Sequence, residues 1–426
     1  MTALVSGVAL ALAAATVHVQ PPQALSPEDC VRQAREHTIK RQQELRPMTG
    51  EKVRQIDAER VKLLRDCGAA FDVDSSAVDR LPALVEFYAD SQQPELVERA
   101  LARGLAAADL PVSPRADLLV QAVRAGLRRR PKPDFAKVES YSDALDRLPE
   151  AVLDQKIAAH GALNGYYRGD DVDAGIIKHS IWLIETGKTL AADLRRKYGA
   201  TLTAAYVNLA EAVAGQGENE RALDLLRRAP VELADVPKAE ERVKPALARY
   251  LLVGKQAAAV AAPVWLNRAD TATPIDLKAK VTLLQFTAHW CGPCKESYPG
   301  TKRLLERFRD RGFQVVFYTR TYGHFEGERN LARDVEIERD RTYFAGYGFT
   351  HPIAIGSPAL SVIDGKLVPQ GEDPVEESYG VGGIPQINVI DAQGNLRLIM
   401  IGYDDANEEK LASFIEGLLK KRRERP

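Results

Sequence analysis

The sequence predicts a chain of two architectures: an all-α helical array over residues 26–255, then an α/β module over 263–426. Between 26 and 255, alanine, leucine and arginine dominate and strand-forming runs are scarce. Beyond 263, short β-branched and aromatic runs alternate with segments of helical spacing, the pattern of βαβ units. A third observation singles out one position. The apolar run Val281–Ala288 leads through His289 into Trp290-Cys291-Gly292-Pro293-Cys294. A chain of 426 residues has room for two or three domains. Its 58 Lys and Arg nearly balance 59 Asp and Glu, so there is no basic field for a nucleic-acid partner.

In chain order, Ala3 to Val17 is an apolar, alanine-rich run with Ala13-Ala14-Ala15 as a candidate cleavage site. Residues 1–20 therefore read as a signal peptide, although no Lys or Arg precedes the run. The run is too short for a membrane span, and no other run is long enough. The mature protein is expected to be soluble, tethered to a membrane only if this segment is kept. Ser26-Pro27-Glu28-Asp29 opens a helix with a capping box and proline at the first position. That helix runs to about Leu45, Pro47-Met48-Thr49-Gly50 breaks it, and a second helix runs from Glu51 to Cys67 before Gly68. Folding the hairpin about Met48 and Thr49 sets Cys30 opposite Cys67. The pair reads as a disulfide stapling the open end of the hairpin, or as two free buried thiols. The staple is preferred and implies an oxidising, extracytoplasmic compartment such as the periplasm.

Asp79–Leu105 and Asp117–Arg129 continue the helical pattern. Tyr206, Leu209, Ala210, Val213, Gly217, Ala222, Leu226 and Ala229 fall at the spacings of a tetratricopeptide helix pair, with Gly217 at its turn. One such unit needs stacked neighbours to bury its faces. The region reads as an irregular tetratricopeptide-like array, either a spacer or oligomerisation surface, or a platform that presents a protein partner.

Gly254 to Pro263 reads as a linker. Within the module, Lys295–Arg311 carries Tyr298, Leu304, Leu305 and Phe308 at helical spacing, and Gly312 stops it. Phe313–Tyr318 is a second strand. Glu328–Tyr347 reads as a helical insertion and His351–Ile355 as a strand. Ser357–Ser378, with Glu372, Asp373, Glu376 and Glu377, reads as a loop, either solvated or shaping access to the sulfurs. Val381–Asp391, a turn at Ala392–Asn395 and Leu396–Ile401 make a hairpin, and Asn407–Lys420 is the last helix. The basic residues from Lys420 to Arg425 read as a solvated tail at a helix C-terminus.

A Cys-x-x-Cys at the mouth of a helix is suited to disulfide exchange. Unpaired backbone N–H groups and the positive end of the helix dipole stabilise a thiolate on Cys291. A thiol with pKa near 8.5 is about 3% thiolate at pH 7, and lowering the pKa to about 7 raises that to about half, a shift worth roughly 2 kcal/mol. The competing readings are an inert buried thiol pair and a zinc half-site, the latter needing two further Cys or His ligands. The seven histidines are scattered along the chain, and His289 beside the motif reads as a surface residue.

Phe286-Thr287-Ala288-His289-Trp290-Cys291-Gly292-Pro293-Cys294, then Pro299, then Gly383-Ile384-Pro385 before a strand and turn, resemble a thioredoxin fold. The stretch from Pro263 to Arg422 is most similar to the extracytoplasmic TlpA/ResA-like thiol-disulfide oxidoreductases. The resemblance implies a cis proline at Pro385 facing the cysteines, with the Ile384 backbone pairing with substrate chain. It also implies that Cys291 attacks a substrate disulfide, that Cys294 resolves the mixed disulfide, and that Trp290 shields the sulfurs. The Gly292-Pro293 dipeptide is that of thioredoxin itself and points to a reducing enzyme. No cofactor beyond the Cys291–Cys294 couple is implied, and the partners are a disulfide-containing substrate protein and an electron-donor protein. Two positions depart from the pattern. Gln285 stands where many thioredoxins carry a buried Asp, and Ser297, beside Glu296, stands where TlpA/ResA-like proteins usually carry Glu.

Two other classes compete. A peroxiredoxin-like peroxidase shares the fold, but its Pro-x-x-x-Thr-x-x-Cys pattern is missing, since Thr287 lies four residues before Cys291 and no proline precedes it at the required spacing. A helical-repeat binding protein with a vestigial module is opposed by the intact Cys291, Cys294 and Ile384-Pro385.

Overall fold

The computed structural model describes residues 25–45, 50–128, 133–169, 172–269, 274–363, 366–370, 373–403 and 405–423. The signal-peptide reading of residues 1–20 and the turn at Met48 and Thr49 lie outside them. No described helix is long and apolar enough to cross a membrane. The chain divides into two compact units, 1–100 and 101–426.

In the first unit Ser26 caps Pro27–Glu44 (α1). Its Oγ accepts from the Asp29 backbone N–H at 3.1 Å, and the Asp29 carboxylate accepts from the Ser26 N–H at 3.2 Å. Gly50–Cys67 (α2) pairs with α1 through the Cys30–Cys67 disulfide. The Glu59 carboxylate joins the same two helices, accepting from Arg41 Nε at 2.8 Å with His37 Nε2 at 3.0 Å. Gly68 ends α2 where a Cβ would lie 2.3 Å from the Phe87 ring. Leu81–Asp90 (α3) buries Leu81, Leu84, Val85 and Phe87. Pro94–Ala106 (α4) follows, and the division between units falls inside it.

The second unit continues the helical array with Val112–Leu127 (α5), Phe135–Asp146 (α6), Leu153–Gly169 (α7), Asp173–Thr189 (α8), Ala192–Lys197 (α9), Gly199–Gly215 (α10), Asn219–Glu232 (α11) and Ala239–Tyr250 (α12). Gly217, at φ +88°, makes the turn between α10 and α11. Tyr206, Leu209, Ala210, Val213, Ala222, Leu226 and Ala229 are all buried there.

The sheet then builds in chain order. Its first elements are Val264–Leu266 (β1), Val281–Phe286 (β2), the helix Gly292–Phe308 (α13) and Phe313–Arg320 (β3). His324–Phe325 (β4) and Glu328–Arg329 (β5) form a short hairpin before Arg333–Gly346 (α14) and Ile353–Gly356 (β6). Ala359–Ile363 (β7) and Lys366–Gln370 (β8) pair antiparallel, and Pro374–Ser378 (α15) follows. Ser357–Ser378 is thus not the loop expected from its acidic run at 372–377. Its hairpin satisfies its own backbone, and Asp373 caps α15 by accepting from the Val375 and Glu376 N–H groups. Gln386–Ile390 (β9), Leu396–Ile401 (β10) and Asp405–Arg423 (α16) complete the chain.

The main sheet has the order β1-β6-β3-β2-β9-β10, with β2, β3 and β6 parallel and β1, β9 and β10 joined antiparallel. Strand alternation gives it two apolar faces. Val281, Leu283, Val315 and Phe317 pack on Leu304 and Phe308 of α13, Phe344 of α14, and Leu411 and Ile415 of α16. Leu284, Phe286, Val316 and Tyr318 face the other way, into a core shared with Leu202, Tyr206, Leu209 and Val213 of α10 and Tyr250 of α12. Helices α10 and α12 of this unit therefore cover one face of the sheet. Gly254–Pro263 is accordingly not a free linker. The Gly254 N–H donates to the Leu396 carbonyl at 2.7 Å and the Ala257 N–H to the Gly394 carbonyl at 2.8 Å, so the segment lies along the β9–β10 hairpin. The compact units separate near residue 100 because this shared core binds the later helices to the sheet.

Candidate functional site

The parallel strand β2 ends opposite Tyr318 of β3, and the chain leaves it toward α13. Cys291 is the N-cap of that helix, in extended conformation, with Pro293 in the first turn. Cys291 and Cys294 are joined as a disulfide. The Cys294 N–H donates to Cys291 Sγ at 3.1 Å, so one of the free amides at the helix start is aimed at the sulfur. Cys294 is fully buried and Cys291 is 3% exposed, while Trp290 beside them is 49% exposed and sets its ring edge-on to Tyr322. Across from the sulfurs, the Ile384 carbonyl oxygen lies 3.6 Å from Cys291 Sγ, and the Ile384–Pro385 bond is cis. The fold thus brings Trp290, Cys291, Cys294, Ile384 and Pro385 together. Cys30 and Cys67 form their own disulfide in the other unit.

The two positions that depart from the family pattern meet beneath Cys294. Gln285 Nε2 donates to Ser297 Oγ at 2.7 Å, and Ser297 Oγ donates to the Cys294 carbonyl at 2.7 Å. Thr301 Oγ1 donates to Gln285 Oε1 at 3.1 Å. All three side chains are buried. This neutral, hydrogen-bonded line fixes the first turn of α13 without placing a charge in the core. Nearby, the Tyr298 hydroxyl meets Thr287 Oγ1 at 2.7 Å, and burial pushes the phenol up to about 12.

The loop that carries Ile384 and Pro385 is held by the helical array. Arg249 of α12 donates from Nε to the Gly380 carbonyl at 2.7 Å and from Nη1 to Glu211 at 2.7 Å. A Cβ on Gly382 would fall 1.8 Å from the guanidinium and would push it off its partners, so glycine at 382 lets Arg249 seat here. No sequence signal marks Arg249, because Gly380 lies 131 positions away. His289 is 3% exposed rather than a surface residue, since Phe325 stacks on it with ring centroids 4.4 Å apart. The histidines are also less scattered in space than in sequence: His160 and His179 meet Nδ1 to Nδ1 at 2.8 Å inside the array.

Residues 265–337 match the thioredoxin family model. The chain carries a thioredoxin domain in its C-terminal region, preceded by helices. Over 127 residues it is 26% identical to the thiol-disulfide oxidoreductase ResA of Geobacillus thermodenitrificans, a match covering 30% of this chain and 58% of that protein. It is 22% identical to ResA of Bacillus subtilis, covering 30% and 56%. The chain thus spans little more than half the length of these relatives. Among solved structures, it resembles a thiol:disulfide interchange protein of the thioredoxin family from Chlorobium tepidum, at 20% identity and TM-score 0.26, covering 38% of this chain and 98% of that one. It also resembles a thiol-disulfide isomerase from Corynebacterium glutamicum, at 18% identity and TM-score 0.29, covering 39% and 97%.

Proposed function

We propose that the chain is an extracytoplasmic protein thiol-disulfide oxidoreductase that works in the reducing direction through Cys291 and Cys294. The observation that carries the reading is the pairing of these cysteines at the N-terminus of α13, with the Cys294 amide on one side of Cys291 Sγ and the Ile384 carbonyl on the other. In the reduced enzyme the Cys291 thiolate attacks one sulfur of a substrate disulfide. A mixed disulfide forms and the other substrate sulfur leaves as a thiolate. Cys294 then gives up its proton and attacks Cys291 Sγ. The second substrate thiolate is released and the Cys291–Cys294 disulfide closes, so two electrons pass to the substrate. Extended substrate chain docks on the backbone at Ile384, and Trp290 contacts its flank.

The couple needs no other cofactor, and an electron-donor protein returns it to the dithiol. The Cys30–Cys67 disulfide supports an oxidising compartment such as the periplasm. The helical array positions the Ile384–Pro385 loop through Arg249, and its open surface receives a protein partner. The test is turnover of a protein disulfide such as insulin with a dithiol donor. Turnover that depends on Cys291 supports the reading, and turnover equal in the Cys291→Ser and Cys294→Ser variants to the unaltered chain overturns it.

A further inference from the structure

Among the described residues, one group of three buried metal-ligand-type side chains converges: His289, Glu336 and Asp340, whose donor atoms all lie within 4.8 Å of one another. Glu336 and Asp340 stand four positions apart on α14 and so share a face. His289 reaches them from the segment that leads into Trp290 and Cys291. Both carboxylates are fully buried. His289 Nδ1 lies 3.2 Å from Asp340 Oδ1, yet neither ring nitrogen nor either Asp340 oxygen has an aligned hydrogen-bond partner. Glu336 accepts from the Tyr322 N–H at 2.6 Å and the Gly323 N–H at 2.7 Å, which orients it and leaves a lone pair on each oxygen. Phe325 covers His289, with Tyr322 and Tyr343 edge-on to its ring. Burial raises the pKa of both carboxyls, as expected where two acids share a core with too little compensating charge.

We propose that His289, Glu336 and Asp340 bind a first-row divalent cation. One imidazole nitrogen and two carboxylates suit Zn2+, Fe2+ or Mn2+. Bonds of about 2.0–2.2 Å to one ion set ligand atoms roughly 3–4 Å apart, so donor atoms now within 4.8 Å of one another close by at most about 2 Å. A dication offsets both carboxylates and gives a ligand role to the His289 and Asp340 atoms that lack an aligned hydrogen bond. It also ties α14 to the segment that feeds Cys291. No cysteine is a ligand, which distinguishes this site from zinc held by the Cys-x-x-Cys pair.

The experiment titrates Zn2+, and separately Mn2+, into the full chain with both disulfides oxidised, so that no thiol competes. The expected result is one bound equivalent of Zn2+, weakened at least about 100-fold in both Asp340→Asn and His289→Gln, beyond the usual loss for residues outside the ligand shell. Co2+ added to the unaltered chain gives a reading that does not depend on variants folding. The expected signals are visible bands distinct from the hydrated ion and a hyperfine-shifted resonance from one imidazole. No binding of Zn2+ or Mn2+ to the oxidised chain, equal affinity in both variants, or a Co2+ spectrum like that of the free ion would overturn the proposal.

Discussion

Cys30 and Cys67 close a separation of 37 residues between two helices, whereas Cys291 and Cys294 stand three residues apart on one. On the chain-entropy account the long loop contributes about 4 kcal/mol, and the short one less than half of that. Their surroundings differ in the same sense. Cys30 is 1% exposed in the packing between α1 and α2, and although it lies in the first turn of α1 no described backbone N–H donates to its sulfur. Cys291 caps a helix, accepts an amide N–H and sits beside an exposed tryptophan and the Ile384 backbone carbonyl. The same covalent bond is a staple where it restrains a long loop. It becomes a reagent where its thiolate is stabilised and a partner can approach.

The largest expected effect breaks the comparison at its functional side. Cys291→Ser abolishes insulin reduction, while Cys294→Ser accumulates mixed disulfides visible on non-reducing gels. Free turnover in Cys294→Ser would remove the resolving role. The next tests the staple: Cys30→Ala with Cys67→Ala lowers unfolding stability by about 4 kcal/mol in denaturant titration but leaves the exchange rate intact. A lost exchange rate with unchanged stability would reverse the two assignments. Third, Arg249→Ala strips a buried cation from Glu211 and from the Gly380 carbonyl. It is expected to cost about 3 kcal/mol and to raise KM for protein disulfides more than for a small disulfide. The last effect is in pH. Burial, with Lys302 nearby, lowers His351 from 6.5 to about 4. The unfolded chain therefore takes up a proton below about pH 6.5 that the folded chain refuses until about pH 4. Stability falls across that window as pH drops, and levels off below it. His351→Gln should flatten this slope in denaturation curves, and an unchanged slope would assign it to other groups.

The cysteine pair, its helix, the central strands and the Ile384-Pro385 segment were legible because each is written in adjacent residues. The α10–α11 pair was legible for the same reason, through small residues at helical spacing and Gly217 at the turn. The shared core between the helical array and the sheet was not. Leu284 and Phe286 face away from Leu283 on a strand buried on both sides, and such a run does not say what covers each face. Arg249 and the His289–Asp340 contact were hidden because their partners are distant in sequence. The β7–β8 hairpin was written in the sequence, as two largely apolar runs flanking Asp364-Gly365, but the acidic residues that follow at 372–377 drew the whole stretch into a loop reading. Gln285 and Ser297 looked like unrelated substitutions until the fold joined them by a hydrogen bond.

The most direct measurement equilibrates the full chain against thiol-disulfide buffers of graded potential and reads each cysteine by differential alkylation and mass spectrometry. The account predicts that Cys291 and Cys294 titrate together near thioredoxin's value, about −270 mV, while Cys30 and Cys67 stay oxidised to below about −300 mV. A Cys291–Cys294 potential of about −120 to −180 mV would contradict the reducing direction, and reduction of Cys30–Cys67 first would contradict the division into reagent and staple.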